Sequence, residues 1–144
     1  MKIKKRWLLI GAILILLTRI YILREYRFPH DAQSVAGIRI MHRVNQASGD
    51  PLEYVFLKEL DKNEIPAFME QIYALETQRG GTPPRWGYGE YMAEITYING
   101  DMEYLGTHCI GFVPSGGRAS GVGEYYFADE EAFLDLIRPY LPAS

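Results

Sequence analysis

The chain has 144 residues, a formal net charge of −3 and one cysteine, Cys109, which excludes an internal disulfide. The charge is unevenly divided, because residues 1–30 hold seven basic residues and one acidic residue, whereas residues 31–144 hold 8 basic and 17 acidic residues, a net charge of −9. A region this acidic lacks the basic surface that nucleic acids require, and its about 110 residues give room for one small domain.

A basic head and an apolar run open the chain. The run extends from Trp7 to Leu23, with Thr18 and Arg19 as its interruptions, and four basic residues precede it. Its 17 residues make about 25 Å of helix, a short but workable span when the bilayer thins and Arg19 reaches the headgroups. We therefore predict that residues 1–24 form a single transmembrane signal anchor, with the lipid-facing residues Trp7, Leu8, Leu9, Ile10, Leu14, Leu17, Ile20 and Tyr21.

A cleaved signal peptide is the alternative interpretation of the same segment. Signal peptidase cleaves after a triplet whose first and third residues are small. The first such triplets lie at residues 32–34 and 34–36, which is too far from the apolar run for a normal cleavage site. An uncleaved anchor is therefore favoured, and a buried core helix fits poorly because the run is apolar all round. The basic head is predicted to stay in the cytoplasm, which places the rest of the chain outside it as a single-pass protein of the cell membrane.

The next segment, residues 25–34, is polar and contains Pro29, so we predict a linker before a domain over residues 35–144. In this domain, residues 35–44 and 52–60 predict two strands that pair as a hairpin across a turn cluster. A helix is predicted to open at Asp61 or Asn63 and to end at Gly80-Gly81. Its core face follows from the helical spacing of Ile65, Phe68, Met69, Ile72 and Leu75.

The segment 90–113 predicts a β-hairpin, because Asn99-Gly100 is a strong marker of a two-residue turn. This loop would pair Tyr97 with Met102 and would bring Glu94 and Glu103 near each other on one mixed, acidic face. The other face, which we expect the helices to cover, carries Tyr91, Ala93, Ile95, Tyr97, Met102, Tyr104, Gly106 and His108.

A strand over residues 122–127 and a last helix capped by Asp129 complete the domain, with Glu130 and Glu131 in the first helical turn. The predicted fold is α+β, with an antiparallel sheet of about five strands and two helices on one face. Its order after the anchor is ββ-α-ββ(β)-β-α.

Two loops supply candidate binding residues. The loop 82–89 displays Arg85, Trp86 and Tyr88 among prolines and glycines, and such side chains are enriched at binding hot spots. The competing interpretation is that the Trp86 and Tyr88 rings pack over the edge of the core. In the loop 114–121, backbone amides with Arg118 form a weaker candidate for an anion.

Catalytic and metal chemistry has little support in the sequence. His108 and Cys109 are neighbours on a predicted strand and point to opposite faces, so they cannot form a nucleophilic dyad. We expect His108 to pack beside Tyr91 and Cys109 to act as a small hydrophobic residue. The three histidines lack metal-ligand spacing, and we expect neither a metal nor another cofactor. The alternative is a hydrolase acting on the cell envelope that would use Glu94, Glu103 or His108, with the two glutamates as paired carboxylates.

The segments 95–106 (ITYINGDMEYLG) and 121–127 (GVGEYYF), followed by an amphipathic helix, resemble small membrane-anchored extracytoplasmic proteins of Gram-positive bacteria that have no agreed activity. The resemblance implies the compartment and the α+β shape and carries over no functional residue. The predicted function is a membrane-tethered, non-enzymatic binding or accessory domain whose partner is a protein or a component of the cell envelope. A structural subunit held in a membrane complex through its helix is a further alternative.

Overall fold

The computed structural model describes residues 2–22, 25–44, 53–80, 87–118 and 120–143. Within these ranges the chain forms three α-helices and seven β-strands. The helices are α1 (Lys2–Ile22), α2 (Ile65–Ala74) and α3 (Glu130–Ile137). The strands are β1 (Val35–Arg43), β2 (Tyr54–Glu59), β3 (Thr77–Arg79), β4 (Tyr91–Tyr97), β5 (Met102–Gly106), β6 (Ile110–Val113) and β7 (Ser120–Phe127).

The seven strands form one antiparallel sheet in the order β2-β1-β4-β5-β6-β7-β3. The predicted α+β class and antiparallel sheet are confirmed, whereas the expected number of about five strands is too low. Helices α2 and α3 share one core with the strands, to which they contribute the buried residues Ile65, Phe68, Met69, Ile72, Phe133 and Ile137. This apolar set has the helical spacing that places one side of each helix on the sheet.

Of the two additional strands, β6 arises because the chain turns back after β5, and β3 lies where the sequence predicts the end of a helix. Helix α2 ends at Ala74, and the next residues extend into β3, which pairs with β7 at one edge of the sheet. Thr77 is 6% exposed and stands opposite Phe127 in this pair. Thr77 is β-branched, and such residues are more stable in a strand than in a helix. Its burial in the edge strand β3 therefore favours an end of α2 before Thr77 over a fourth helical turn.

The β4–β5 hairpin turns through three residues, Ile98, Asn99 and Gly100, instead of the predicted two. Gly100 donates its N–H to the Tyr97 carbonyl at 2.9 Å, and Tyr97 donates its N–H to the Asp101 carbonyl at 2.9 Å. Gly100 has φ +87°, whereas no described residue other than glycine has a positive φ. Asn99 therefore does not take the conformation of a two-residue type I′ turn, and the loop is the three-residue kind with a left-handed glycine.

The extra loop residue shifts the register of the hairpin by one. Ile95 stands opposite Glu103, and Glu94 opposite Tyr104. The prediction of the core face is right for β4, where Ile95 is fully buried, and wrong for β5, where Glu103 and Leu105 point inward at 0% exposure. A one-residue slip moves every side chain of a strand to the opposite face, and here it places a glutamate in the core.

The segment 25–31, here called the strap, was expected to be part of a linker and instead lies against the domain. The Tyr26 N–H donates to Thr77 Oγ1 at 2.8 Å, and the Tyr26 hydroxyl donates to Glu103. Phe28 packs edge-on against Tyr73 of α2, with ring centroids 4.9 Å apart. The strap therefore completes the cover of the sheet beside α2.

Helix α1 exposes its apolar side chains. The predicted lipid-facing residues are between 46% and 73% exposed: Trp7, Leu8, Leu9, Ile10, Leu14, Leu17, Ile20 and Tyr21. By length and apolar character, no helix among the described residues qualifies as a membrane span, so the predicted span is not found. The physical reason lies in Lys5, Arg6 and Arg19, which leave only about 18 Å of helix between them without a charge.

Candidate functional site

A cleft of about 360 Å³ opens at the end of the sheet where several chain segments converge. We call it the end cleft and define it by the residues that line it, Arg43, Gly89, Glu90, Thr107, His108, Glu130 and Leu134. Strand β1 ends at this cleft, β4 begins beside it, the β5–β6 turn forms one wall, and the first turn of α3 forms another. Polar side chains from these four segments thus meet at a single opening.

Residues 87–89, of which Gly89 lines the end cleft, form a further wall whose backbone is held in place. Gly89 has φ +115°, and a Cβ added there would lie 2.2 Å from Thr107 Oγ1, so a side chain fits neither the conformation nor the space. The Tyr54 hydroxyl accepts the Tyr88 N–H at 2.8 Å and donates to the Gly89 carbonyl at 2.8 Å. A Cβ added at Gly106 would lie 2.0 Å from the Tyr88 carbonyl oxygen, so this wall rests directly on β5.

The end cleft presents charges of both signs. Arg43 and His108 line it together with the carboxylates of Glu90 and Glu130. Glu90 also lies 3.6 Å from the His42 ring, which stacks on Tyr91. A surface with charges of both signs complements a polar ligand that itself carries both.

His108 and Cys109 do not lie on a strand as predicted, because β5 ends at Gly106 and β6 begins at Ile110, and the position expected for His108 is also wrong. His108 is exposed at the end cleft, and His42 occupies the place beside Tyr91, with ring centroids 4.9 Å apart. Cys109 is fully buried, and burial raises the pKa of its thiol to about 11, so it stays protonated at neutral pH. A protonated, enclosed thiol packs as a small hydrophobic group rather than as a nucleophile.

The predicted binding residues have different placements. Tyr88 is half-buried, and its ring centroid lies 5.6 Å from that of Tyr104, so part of the ring packs on the sheet. Arg118 is exposed in the loop between β6 and β7 and does not line the end cleft. Arg85 and Trp86 lie outside the described residues. In the described part of this loop, the Gly89 backbone lines the end cleft, as does the neighbouring Glu90, which the sequence analysis did not select.

Glu94 and Glu103 do not form a carboxylate pair. Glu94 lies on the face of the sheet opposite to the helices, where Arg39 donates to it at 3.1 Å. Glu103 lies in the core, where the Tyr26 and Tyr97 hydroxyls both donate to its carboxylate. The arrangement on which the hydrolase alternative was based is absent, because the two side chains point to opposite faces.

We call the core arrangement of Tyr26, Tyr97 and Glu103 the buried carboxylate network. Burial raises the pKa of Glu103, although the two tyrosine hydrogen bonds act in the opposite direction. Burial and the neighbouring carboxylate also raise the pKa of both tyrosines, so both hydroxyls keep their protons and remain donors. A carboxylate held by two hydroxyls inside a core fastens the strap to the sheet and is enclosed away from any substrate.

Within the described ranges, no three side chains of His, Cys, Asp or Glu are placed to hold a metal ion.

No family model, curated protein or solved structure matches the chain. The resemblance to small membrane-anchored proteins of Gram-positive bacteria therefore stays a prediction.

Proposed function

We propose that the chain is a membrane-anchored, non-enzymatic binding domain that is displayed outside the cytoplasm. The observation that carries the proposal is the exposure of α1. Ile13, Leu14, Ile15, Leu16 and Leu17 are consecutive, and each is between 47% and 65% exposed. Because successive helical residues are about 100° apart, these five surround the helix completely.

A helix that is apolar all round differs from a helix that lies on a membrane surface, which keeps one polar face. Transfer of such side chains from water to lipid contributes about 1.5–3 kcal/mol for each large residue. Lys5, Arg6 and Arg19 limit the uncharged length, but their stems extend along the helix to the headgroups, and a bilayer thins around a short helix. These properties support insertion of α1 with the basic head in the cytoplasm.

The domain would sit directly on the membrane surface. Helix α1 ends at Ile22, and only four residues later the Tyr26 hydroxyl donates a hydrogen bond to Glu103 in the core. Three intervening residues span at most about 13 Å from Ile22 to Tyr26. The end cleft, with Arg43, Glu90 and His108, is then the polar recess that the domain presents to a protein or envelope partner.

The test of the anchor compares the full chain with the chain that begins at residue 25. We expect the full chain to float with phosphatidylcholine liposomes in a density gradient and the shortened chain to remain at the bottom. For orientation, Glu131→Cys and Lys5→Cys are treated on intact cells with a membrane-impermeant maleimide, for which buried Cys109 gives little background. Labelling of Glu131→Cys alone is expected, whereas recovery in the soluble fraction or labelling of Lys5→Cys alone contradicts the proposal.

The test of the end cleft uses a photo-crosslinking amino acid at Glu90, in the full chain and in native membranes. Glu70, which is exposed on α2, is the matched control position. We expect a discrete adduct from position 90 that is absent from position 70 and is at least about fivefold weaker when Glu130→Lys reverses a charge of the cleft. The same adducts from both positions would show that the cleft does not select a partner.

A further inference from the structure

A second cleft lies at the junction between α1 and the domain. It has a volume of about 370 Å³ and is lined by Tyr21, Arg79, Gly80 and Glu124. We propose that this junction cleft binds the headgroup of a phospholipid that carries a primary ammonium group, with the phosphate at Arg79 and the ammonium at Glu124. The inference rests on the proposed membrane anchoring and adds to it the chemistry of the lipid that the protein selects.

The junction cleft holds a guanidinium group in a fixed position. The Arg79 guanidinium carbon lies 3.5 Å from the centroid of the Tyr21 ring and 5.9 Å from that of Tyr125. Two aromatic faces thus restrain Arg79, whose side chain is 19% exposed. A restrained planar guanidinium is well suited to phosphate, because it offers parallel N–H donors without losing much side-chain entropy.

A carboxylate stands beside this guanidinium. Arg79 Nη2 and Glu124 Oε2 are 3.6 Å apart, which is an ion pair beyond hydrogen-bond distance, and the Glu124 side chain is 51% exposed. The Gly80 N–H donates to the Glu124 carbonyl at 2.7 Å, so the backbones that carry both charges are tied together. One cation beside one anion complements a zwitterion better than it complements a purely anionic headgroup.

The position of Tyr21 sets the depth of the junction cleft in a membrane. Tyr21 lies in the last turn of α1, at the end of the apolar run, where aromatic rings favour the interface. When α1 is inserted, Arg79 and Glu124 therefore lie at the level of the headgroups. A primary ammonium donates N–H groups to a carboxylate, whereas the choline headgroup has no such donor and phosphatidylglycerol has no cation.

The test places the full chain in nanodiscs that contain equal amounts of phosphatidylcholine, phosphatidylethanolamine and phosphatidylglycerol. Native mass spectrometry counts the lipids that stay bound when the protein is released from the nanodisc. The proteins compared are the wild type, Arg79→Gln, Glu124→Gln and a control, Arg138→Gln. Arg138 is an exposed arginine that forms ion pairs with Glu131 and Asp135 of α3. We expect the wild type and the control to retain phosphatidylethanolamine at least about fivefold over phosphatidylcholine. Glu124→Gln should remove this preference, and Arg79→Gln should reduce the retention of all three lipids.

Equal retention of the three lipids by the wild type would overturn the headgroup inference and leave the anchor intact. A wild-type preference that survives both cleft substitutions would overturn it as well. Failure of the full chain to enter nanodiscs would instead refute the anchor, and with it the inference. Thermal unfolding of each variant is measured in parallel, so that a loss of retention is interpreted only for protein that remains folded.

Discussion

Replacement of Glu103 by alanine is expected to lower the free energy of unfolding of the domain by about 3 kcal/mol. The substitution removes the shared acceptor of two tyrosine hydroxyls. Tyr97 is 1% exposed, so its hydroxyl cannot turn to water, and an unsatisfied buried donor costs about 1–3 kcal/mol. The cavity left by the missing side chain adds to this loss. Denaturant unfolding monitored by circular dichroism measures the difference in the free energy of unfolding between the wild type and the variant.

Two further variants separate the network from general effects of charge. Glu131→Ala, at an exposed position of α3, is the control and should change the free energy of unfolding by less than about 0.5 kcal/mol. Glu103→Gln keeps an acceptor for one tyrosine and a donor for the other, and should retain most of the stability. Alanine and glutamine variants of equal stability would show that the hydrogen bonds to Glu103 contribute little.

The wild type and Glu103→Gln together test whether the pKa of Glu103 is raised in the folded protein. Because burial raises the pKa of Glu103 in the folded state, the folded protein binds this proton more tightly than the unfolded chain does. The contribution of Glu103 to stability is therefore present below its ordinary pKa of 4.5 and is lost as pH rises through the raised value. Relative to Glu103→Gln, the wild type should lose stability as pH rises through this range. Asp101 acts in the opposite direction, because its pKa is lowered by hydrogen bonds from Ser115, His30 and Asn99, but it is present in both proteins.

Removal of the strap is expected to abolish cooperative folding. A fragment that begins at residue 35 lacks Tyr26 and Phe28, and burial of such side chains stabilises by about 1.5–3 kcal/mol each. It also lacks His30, which lies 2.6 Å from Asp101. The loss of about 5 kcal/mol is comparable with the whole stability of a small domain. Calorimetry should show a cooperative transition for residues 25–144 and none for residues 35–144.

The full chain provides a second form of this test. The double substitution Tyr26→Ala and Phe28→Ala, made in the intact protein in detergent, should reproduce most of the loss without any change of chain length. A fragment of residues 35–144 that unfolds cooperatively within a few degrees of the longer fragment would refute the role of the strap.

The main difference between the predicted and observed folds comes from one residue of loop length. Asn99-Gly100 is compatible with a two-residue turn, and equally with a three-residue turn in which only the glycine is left-handed. Local propensity does not choose between them. A tertiary contact favours the observed turn, since Asp101 accepts the Ser115 N–H at 2.7 Å. Ser115 lies in a loop 14 residues further along the chain, which a local pattern does not contain.

Elements with a strong local signal were predicted well. Asp129 caps α3 by accepting the Ala132 N–H at 3.0 Å, as expected. The predicted start of α2 at Asp61 or Asn63 is wrong, because the helix begins at Ile65 and Glu64 is its N-cap. The strap and β3 were missed because their partners are distant in sequence, as in the bond from Tyr26 to Glu103. The end cleft was not predicted. Tyr88 is next to its lining residue Gly89, but His108 was expected in the core beside Tyr91, and Arg43, Glu90 and Glu130 meet there only through the fold.

The bond between Tyr26 and Glu103 also orders events during synthesis. The two residues are 77 positions apart, which corresponds to about 4–15 s of translation at about 5–20 residues per second. Throughout that interval the residues of α1 have been synthesised, but the Tyr26 hydroxyl has no acceptor because Glu103 has not yet been added. The sheet is also incomplete. The nascent chain therefore carries a complete apolar helix followed by an unfolded tail, and the domain closes only after Glu103 has been synthesised.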